Sequence, residues 1–249
     1  MKTGFLITAR MKSTRLSKKL TLEIEGRQVI RWMIDRLKLN KAIDEIVICT
    51  STNSQDDALA EIAAEENIKV FRGSEEDVIG RLYEAAKANN LDYVINITAD
   101  CPLVSNSYIS EIIKTYQATN ADLVRTLDLP HGFFSYGLKV AAMKKVCDIK
   151  SSENTEVWGR YFEETGMKVV DVEIPDSLKR EHFRLTLDYP EDFEFFKAVY
   201  KYFGADTYKT NMLDIIDFLD QHPEVVAKNE HCGVKYRQRW EAQNKLELK

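Results

Sequence analysis

The sequence predicts an α/β fold with a mostly parallel sheet covered by helices on both faces. Two observations carry that reading. Over the first 125 residues, short apolar runs alternate with segments whose apolar residues recur at helical spacing. The chain is also long enough, at 249 residues with 44% hydrophobic, to bury a sizeable core.

Each element follows from its own pattern. Residues 4–9 are a short apolar run, read as the first strand. Val29, Ile30, Met33, Ile34 and Leu37 then mark one face of a helix. Residues 45–49 (Glu-Ile-Val-Ile-Cys) form the second strand, followed by a helix with Ala58, Leu59, Ile62 and Ala63 inward. Residues 68–71 are a third strand, and 77–88 a helix buried through Val78, Leu82, Ala85 and Ala86. Residues 93–98 are the fourth strand, and 108–116 a helix with Ile109, Ile112 and Ile113 inward. After Pro130 the alternation breaks. A strand at 137–141, helices at 143–147 and 155–164, and an alternating stretch at 168–174 follow. Pro190 opens a helix whose apolar face is Phe193, Phe196, Val199 and Tyr200. From residue 228 the chain is polar and basic, read as a surface arm or a partner contact. No repeat or linker interrupts 1–249, so a single domain is expected, with an inserted lobe at 127–183 and a polar tail at 228–249.

Composition narrows the function classes. A net charge of −5 argues against a nucleic-acid surface, which needs a basic face. No apolar run approaches the roughly 20 residues that span a bilayer, and the N-terminal run is too short for a signal-peptide core. Cys49, Cys101, Cys147 and Cys232 contain no CxxC pair, so neither a metal cluster nor a disulfide framework is expected, and the cytoplasm is the simpler setting.

The charge is unevenly spread. Between Arg10 and Leu22 lie Arg10, Lys12, Arg15, Lys18 and Lys19 with no acid, directly after the first strand. Ligands of open α/β sheets bind at the carboxyl ends of strands, and cations with Ser13 and Thr14 beside them suit a triphosphate. A solvated basic loop is the other reading of such a run. Neither a Walker loop nor a Gly-x-Gly-x-x-Gly fingerprint is present.

Residues 9–19 resemble the A-R-x-x-S-x-R-L-P-x-K signature of the SpsF-like sugar cytidylyltransferases, relatives of the enzymes that make CMP-activated 3-deoxy-octulosonate and sialic acids. Ala9, Arg10, Ser13, Arg15, Leu16 and Lys19 match; Ser17 and Lys18 stand where Pro and Gly are usual. Three further blocks match in order: 71–81 (Phe-Arg-Gly-Ser-Glu-Glu-Asp-Val, then Arg81), 97–103 around Thr98 and Asp100, and 184–192 around Asp188. The resemblance implies a Rossmann-like sheet of the nucleotide-diphospho-sugar transferase type. It assigns nucleotide binding to Ala9, Arg10, Ser13, Thr14, Arg15, Lys19, Arg72, Gly73, Ser74, Asp77, Arg81, Thr98 and Asp100. Ser74 with Asp77 also reads as a helix cap. Asp100 and Asp188 are implied as the carboxylates that hold Mg²⁺, in keeping with its preference for hard oxygen ligands.

The reaction so implied is attack of an acceptor oxygen on the α-phosphorus of CTP, with pyrophosphate leaving. Arg10, Arg15 and Lys19 are the candidates for stabilising charge on the phosphates. The acceptor region departs from the family, which is acidic where Phe134 and Tyr136 stand. His131, Phe133, Tyr136, Glu156, Trp158 and Arg160 are the candidate acceptor residues, with Arg160 pointing to an anionic acceptor; core or dimer-interface packing is the other reading of the aromatics. Related enzymes are often dimers, which puts a homodimer surface between residues 130 and 161. A glycosyltransferase is the competing function, but its Asp-x-Asp motif is absent. A non-catalytic nucleotide-binding protein is the third reading.

Overall fold

The computed structural model describes residues 1–243 and Leu248. Strand β1 (Thr3–Thr8) is buried along its length because it is flanked by parallel strands on both sides. Its partners are β4 (Glu45–Ser51), itself paired in parallel with β5 (Lys69–Gly73), and β6 (Tyr93–Thr98). A small hairpin of β2 (Glu23–Ile24) and β3 (Arg27–Gln28) stands apart from this sheet. Beyond β6 the order continues through β8 (Tyr136–Lys139), β7 (Leu123–Arg125) and β9 (Val169–Asp171), completing a seven-stranded mixed sheet β5-β4-β1-β6-β8-β7-β9. Only β8 runs antiparallel to its neighbours; β7 and β9 pair in parallel.

The period of two along the strands sorts their side chains onto two faces. Phe5, Ile7, Ile48, Tyr93 and Ile95 face a core with α1 (Val29–Lys38), α2 (Asp57–Glu65) and α4 (Asn106–Thr119). Leu6, Val47, Cys49, Val94 and Leu138 face a core with α3 (Val78–Ala88), α5 (Val140–Ile149) and α6 (Gly159–Glu164). A third core joins Trp32 of α1 to α7 (Pro190–Phe203), α8 (Met212–Gln221) and α9 (Pro223–Val226). Buried Arg36 clamps α1 to this layer, its Nε donating to Val104 O at 2.7 Å and Nη1 to Thr210 O at 2.7 Å. No described helix is long and apolar enough to cross a membrane.

Several boundaries differ from the sequence pattern for local reasons. The helix expected from residue 155 starts at Gly159, because the Thr155 hydroxyl serves α3: it accepts from Ile79 N at 3.0 Å and donates to Asp77 Oδ1 at 2.9 Å. The alternation at 168–174 shrinks to three sheet residues, with Ile174 buried in the third core instead. The polar stretch after residue 228 contains α10 (Cys232–Gln243); the rest of the expected tail, Leu248 excepted, lies outside the described residues.

The basic loop leaves β1 through a main-chain anchor, Met11 N donating to the fully buried Asp56 at 2.7 Å. It closes at Lys18, which is exposed and left-handed at φ 53°. A side chain in that conformation costs about 1–2 kcal/mol, which glycine would not incur. Lys18→Gly is therefore expected to raise the unfolding midpoint by about 2–4 °C, the release of strain being partly offset by glycine's extra unfolded-state entropy. A thermal melt showing an unchanged or lower midpoint would contradict this account of the turn.

Candidate functional site

A cavity of 610 Å³ opens at the carboxyl ends of β1 and β6, where the basic loop and the segment after β6 meet. Asn96 fixes the two strands below it, donating to Leu6 O at 2.6 Å and Thr8 Oγ1 at 3.0 Å. Chain connectivity then delivers Asp100 just past β6 and Asp188 just before α7. The extended segment bearing Asp188 is stitched in by Leu187 N to Asp100 O at 2.8 Å and Leu185 N to His131 O at 2.7 Å. Gly132 (φ 107°) allows the second contact, since a Cβ there would collide with the Leu185 carbonyl.

The charged groups converge. Lys19 Nζ lies 2.5 Å from Asp100 Oδ2 and 2.8 Å from Asp188 Oδ1. Arg15 donates to Asp188 Oδ1 at 2.7 Å while lying over the Tyr189 ring at 5.1 Å. Arg184 bonds Asp188 Oδ2 at 3.0 Å from the opposite side. Burial disfavours the charged form of Asp188, but Lys19, Arg15 and Arg184 outweigh it and hold the carboxyl well below the usual carboxylate range. Burial likewise opposes the charge on Lys19, and Asp100 and Asp188 overcome it, so its pKa is raised. Arg10 pairs with Glu156 at 2.7 Å, and Lys12 with Glu75 at 2.9 Å, at the outer rim.

Behind Asp188 sits a buried network. Arg184 Nε donates to Asp192 Oδ1 at 2.9 Å, and Asp192 Oδ2 accepts from Asp188 N at 2.8 Å and Tyr189 N at 2.9 Å, capping α7. Asn229 Nδ2 closes the network on Asp192 Oδ1 and Arg184 O, both at 2.9 Å.

The other wall is aromatic. His131 stacks on Phe134 with centroids 5.3 Å apart, and Tyr136 meets Phe134 at 5.7 Å and Trp158 at 5.1 Å. Tyr236 of α10 lies 4.7 Å from His131 and 5.2 Å from the Arg184 guanidinium carbon. Burial, reinforced by Arg184, pushes His131 down to about 4, so it is neutral at pH 7 and offers a hydrogen-bonding edge rather than a charge. Arg160 also lines the cavity, as do Arg125 and Glu163.

Among the residues singled out from the sequence, Ala9, Arg10, Ser13, Thr14, Arg15, Lys19, Arg81, Thr98, Asp100, His131, Tyr136, Glu156, Trp158, Arg160 and Asp188 all border this cavity. Five do not. Arg72 ties β4 to the loop after it, donating to Ser51 O and Asn53 O. Gly73 lies on β5, packed near Phe71 and Arg81. Ser74 Oγ accepts from Asp77 N at 3.0 Å, and Asp77 caps α3 by accepting from Gly80 N at 3.1 Å. Phe133 points into the third core and is fully buried. Phe134, part of the same aromatic stretch, borders the cavity as well, and Tyr236 and Arg125 do so without having been candidates. A signal for Tyr236 existed: with Cys232 it forms an i, i+4 pair in a stretch rich in charged and polar residues.

Among the described residues, the Asp100–Asp188 pair and a cluster outside the cavity bring together groups able to hold a metal ion. Asp100 and Asp188 already grip one cation, the Lys19 ammonium, so their oxygens face a common point. Outside the cavity, Glu191, His231 and Cys232 bring ligand atoms within 4.8 Å of one another. The first arrangement, hard oxygens beside a cationic loop in a deep cleft, can hold a polyanion with a divalent cation.

The family model described as cytidylyltransferase matches residues 5–218. An uncharacterised protein of Methanocaldococcus jannaschii is 33% identical over 240 residues, covering 95% of this chain and 97% of its own. The spore coat polysaccharide biosynthesis protein SpsF of Bacillus subtilis is 26% identical over 239 residues, covering 91% and 97%. A solved cytidylyltransferase structure from Leptospira borgpetersenii superposes with a TM-score of 0.83 at 28% identity, over 91% of this chain and 97% of that one. The chain belongs to the cytidylyltransferase family and is a nucleotidyltransferase.

Proposed function

We infer that this enzyme transfers CMP from CTP to an anionic acceptor, an acidic sugar, with Mg²⁺ and release of pyrophosphate. The observation that carries the reading is the convergence of Arg15 and Lys19 on the Asp100–Asp188 pair inside the cavity. Arg15 Nη1 supports it: this buried donor has no hydrogen-bond partner among the described residues, and a phosphate oxygen is a fitting one.

The donor set fits Mg²⁺, since two carboxylates aimed at one cation are what that ion shares with substrate phosphates. When bound, it supplies Lewis-acid polarisation of the α-phosphate. The chain's own groups do the rest. Arg15 and Lys19 neutralise the β- and γ-phosphates that depart, and Arg10, freed from Glu156, approaches the α/β bridge. Thr98, whose hydroxyl donates to Asp100, holds that carboxylate in register. Arg81 lies on the base and ribose side, and Ser13 and Thr14 join the basic loop around the triphosphate. Neutral His131, Tyr136, Trp158 and Tyr236 form a platform for the acceptor ring, and an acceptor carboxylate would engage Arg160 and Arg125 by competing with Glu164 for the first and with Glu163 and Asp171 for the second. The resemblance to enzymes that activate 3-deoxy-octulosonate and sialic acids, and the similarity to SpsF, a spore coat polysaccharide biosynthesis protein, both favour a precursor for a surface polysaccharide.

The remaining parts of the reading concern organisation. Residues 1–249 act as one domain, with 127–183 carrying the acceptor wall and the homodimer surface between 130 and 161. The enzyme works in the cytoplasm, in keeping with four cysteines that form no disulfide.

Pyrophosphate release tests the reaction. CTP with an acidic sugar from a panel of free and phosphorylated acids is expected to release pyrophosphate only with Mg²⁺, and CTP to outperform UTP, ATP and GTP. Release with a neutral sugar alone, or equal rates with all four nucleotides, would defeat this assignment.

A further inference from the structure

Asp100 and Asp188 are bridged by an ammonium that belongs to the chain itself. Lys19 Nζ makes two charge-assisted bonds, at 2.5 and 2.8 Å, and its side chain is only 12% exposed. The wider balance of charge is even. Lys19, Arg15 and Arg184 stand against Asp100, Asp188 and Asp192, three cations facing three carboxylates. Arg184 and Asp192 are locked into the buried layer, whereas Lys19 stands at the cavity edge on a flexible four-carbon stem.

We propose that Lys19 is the resident counter-ion of the Asp100–Asp188 pair in the nucleotide-free enzyme. It yields that place only when a triphosphate draws it away, so that a divalent cation enters with the nucleotide and not ahead of it. The proposal rests on the reading of Asp100 and Asp188 as the metal-holding pair.

A bare divalent cation approaching this site meets no net negative charge to repay its dehydration, which Mg²⁺ resists strongly. It must also displace an ammonium tethered in place, whose effective concentration far exceeds that of a free ion. A bound triphosphate reverses both conditions, because its oxygens compete for the three donors of Lys19 and bring negative charge beside the carboxylates. Lys19 thus has two stations, the carboxylate pair and the phosphates, and the bound nucleotide decides between them. Arg15, which also bonds Asp188, keeps that carboxylate aimed into the cavity in either state.

Equilibrium dialysis against Mn²⁺, on the full chain with and without CTP and with no acceptor, tests this. Wild-type protein is expected to retain Mn²⁺ when CTP is present and to bind it at least about tenfold more weakly when CTP is absent. Lys19→Met, which keeps the stem and removes the charge, is expected to gain at least about tenfold in nucleotide-free Mn²⁺ affinity. Lys19→Arg should remain like wild type, and Lys19→Met with Asp188→Asn should lose the gain, locating it at this pair. Equal Mn²⁺ retention by wild type with and without CTP would overturn the proposal while leaving the metal pair intact. So would a Lys19→Met protein with a native circular dichroism spectrum and no gain. Absence of retention by wild type in both conditions would instead overturn the metal assignment, and this proposal with it.

Discussion

Asp188→Asn is expected to lower turnover by about a hundredfold or more, read as pyrophosphate release, with Asp100→Asn losing a comparable amount. The carboxylate of Asp188 is shared by three cations, Arg15 at 2.7 Å, Lys19 at 2.8 Å and Arg184 at 3.0 Å. An amide of the same shape carries no charge and turns one hydrogen-bond donor toward those cations, so both the attraction and the aim of Arg15 and Lys19 are lost. The substitution should also cost stability with a definite pH dependence. Because Asp188 has its pKa depressed on folding, its contribution is fully present above the ordinary aspartate value, about 3.9, and is lost as pH falls through the still lower folded value. Asp188→Asn should therefore be less stable than wild type at pH 7 and approach it in strong acid. Denaturant melts at pH 7 and in acid check the sign; a stability gap that is the same at both, together with near-wild-type turnover, would remove Asp188 from the role assigned here.

Arg184→Leu is expected to be the most damaging single change to the fold. The guanidinium is the main counter-ion of Asp192, which is fully buried, and the third one for Asp188. Removing one partner of a buried pair leaves an uncompensated charge, a loss of about 3–5 kcal/mol. For a chain of this size that is a fall in melting midpoint on the order of 10 °C. The penalty belongs to the stranded carboxylate more than to the lost attraction. Replacing Asp192 by Leu in the same chain should accordingly restore part of the stability, with the remainder reflecting the lost cap on α7, where Asp192 accepts from Tyr189 N. A double variant less stable than Arg184→Leu by the full cost of Asp192→Leu alone would show the two residues to be independent.

Much of this molecule was legible in its pattern. Residues 93–98 have the same bounds in sequence and structure, because a strand buried on both faces leaves apolar residues on both, Tyr93, Val94, Ile95 and Ile97. The cationic loop was legible from its one-sided charge. What local pattern left out was partnership. β7 contributes only Leu123, Val124 and Arg125, too few residues to show a period, and it exists because β8 and β9 pair with it. Phe133 and Phe134 are adjacent and chemically alike, yet the turn at Gly132 sends the first into the core and the second to the cavity. Arg72 and Arg81 share one motif, and only Arg81 reaches the cavity, since Arg72 is spent on the carbonyls of Ser51 and Asn53.

By itself, then, the sequence determined the parallel strands of residues 1–98, the helices that alternate with them and the identity of the charged groups, because periodicity and charge are properties of neighbours along a chain. The tertiary structure decided which of those groups meet. Lys19 bridges two carboxylates 81 and 169 positions away, and Tyr236 arrives on a polar helix to close the aromatic wall. Contacts between residues so far apart follow from strand order and crossover direction, which fix where the carboxyl ends of the strands come together and hence where the chemistry lies.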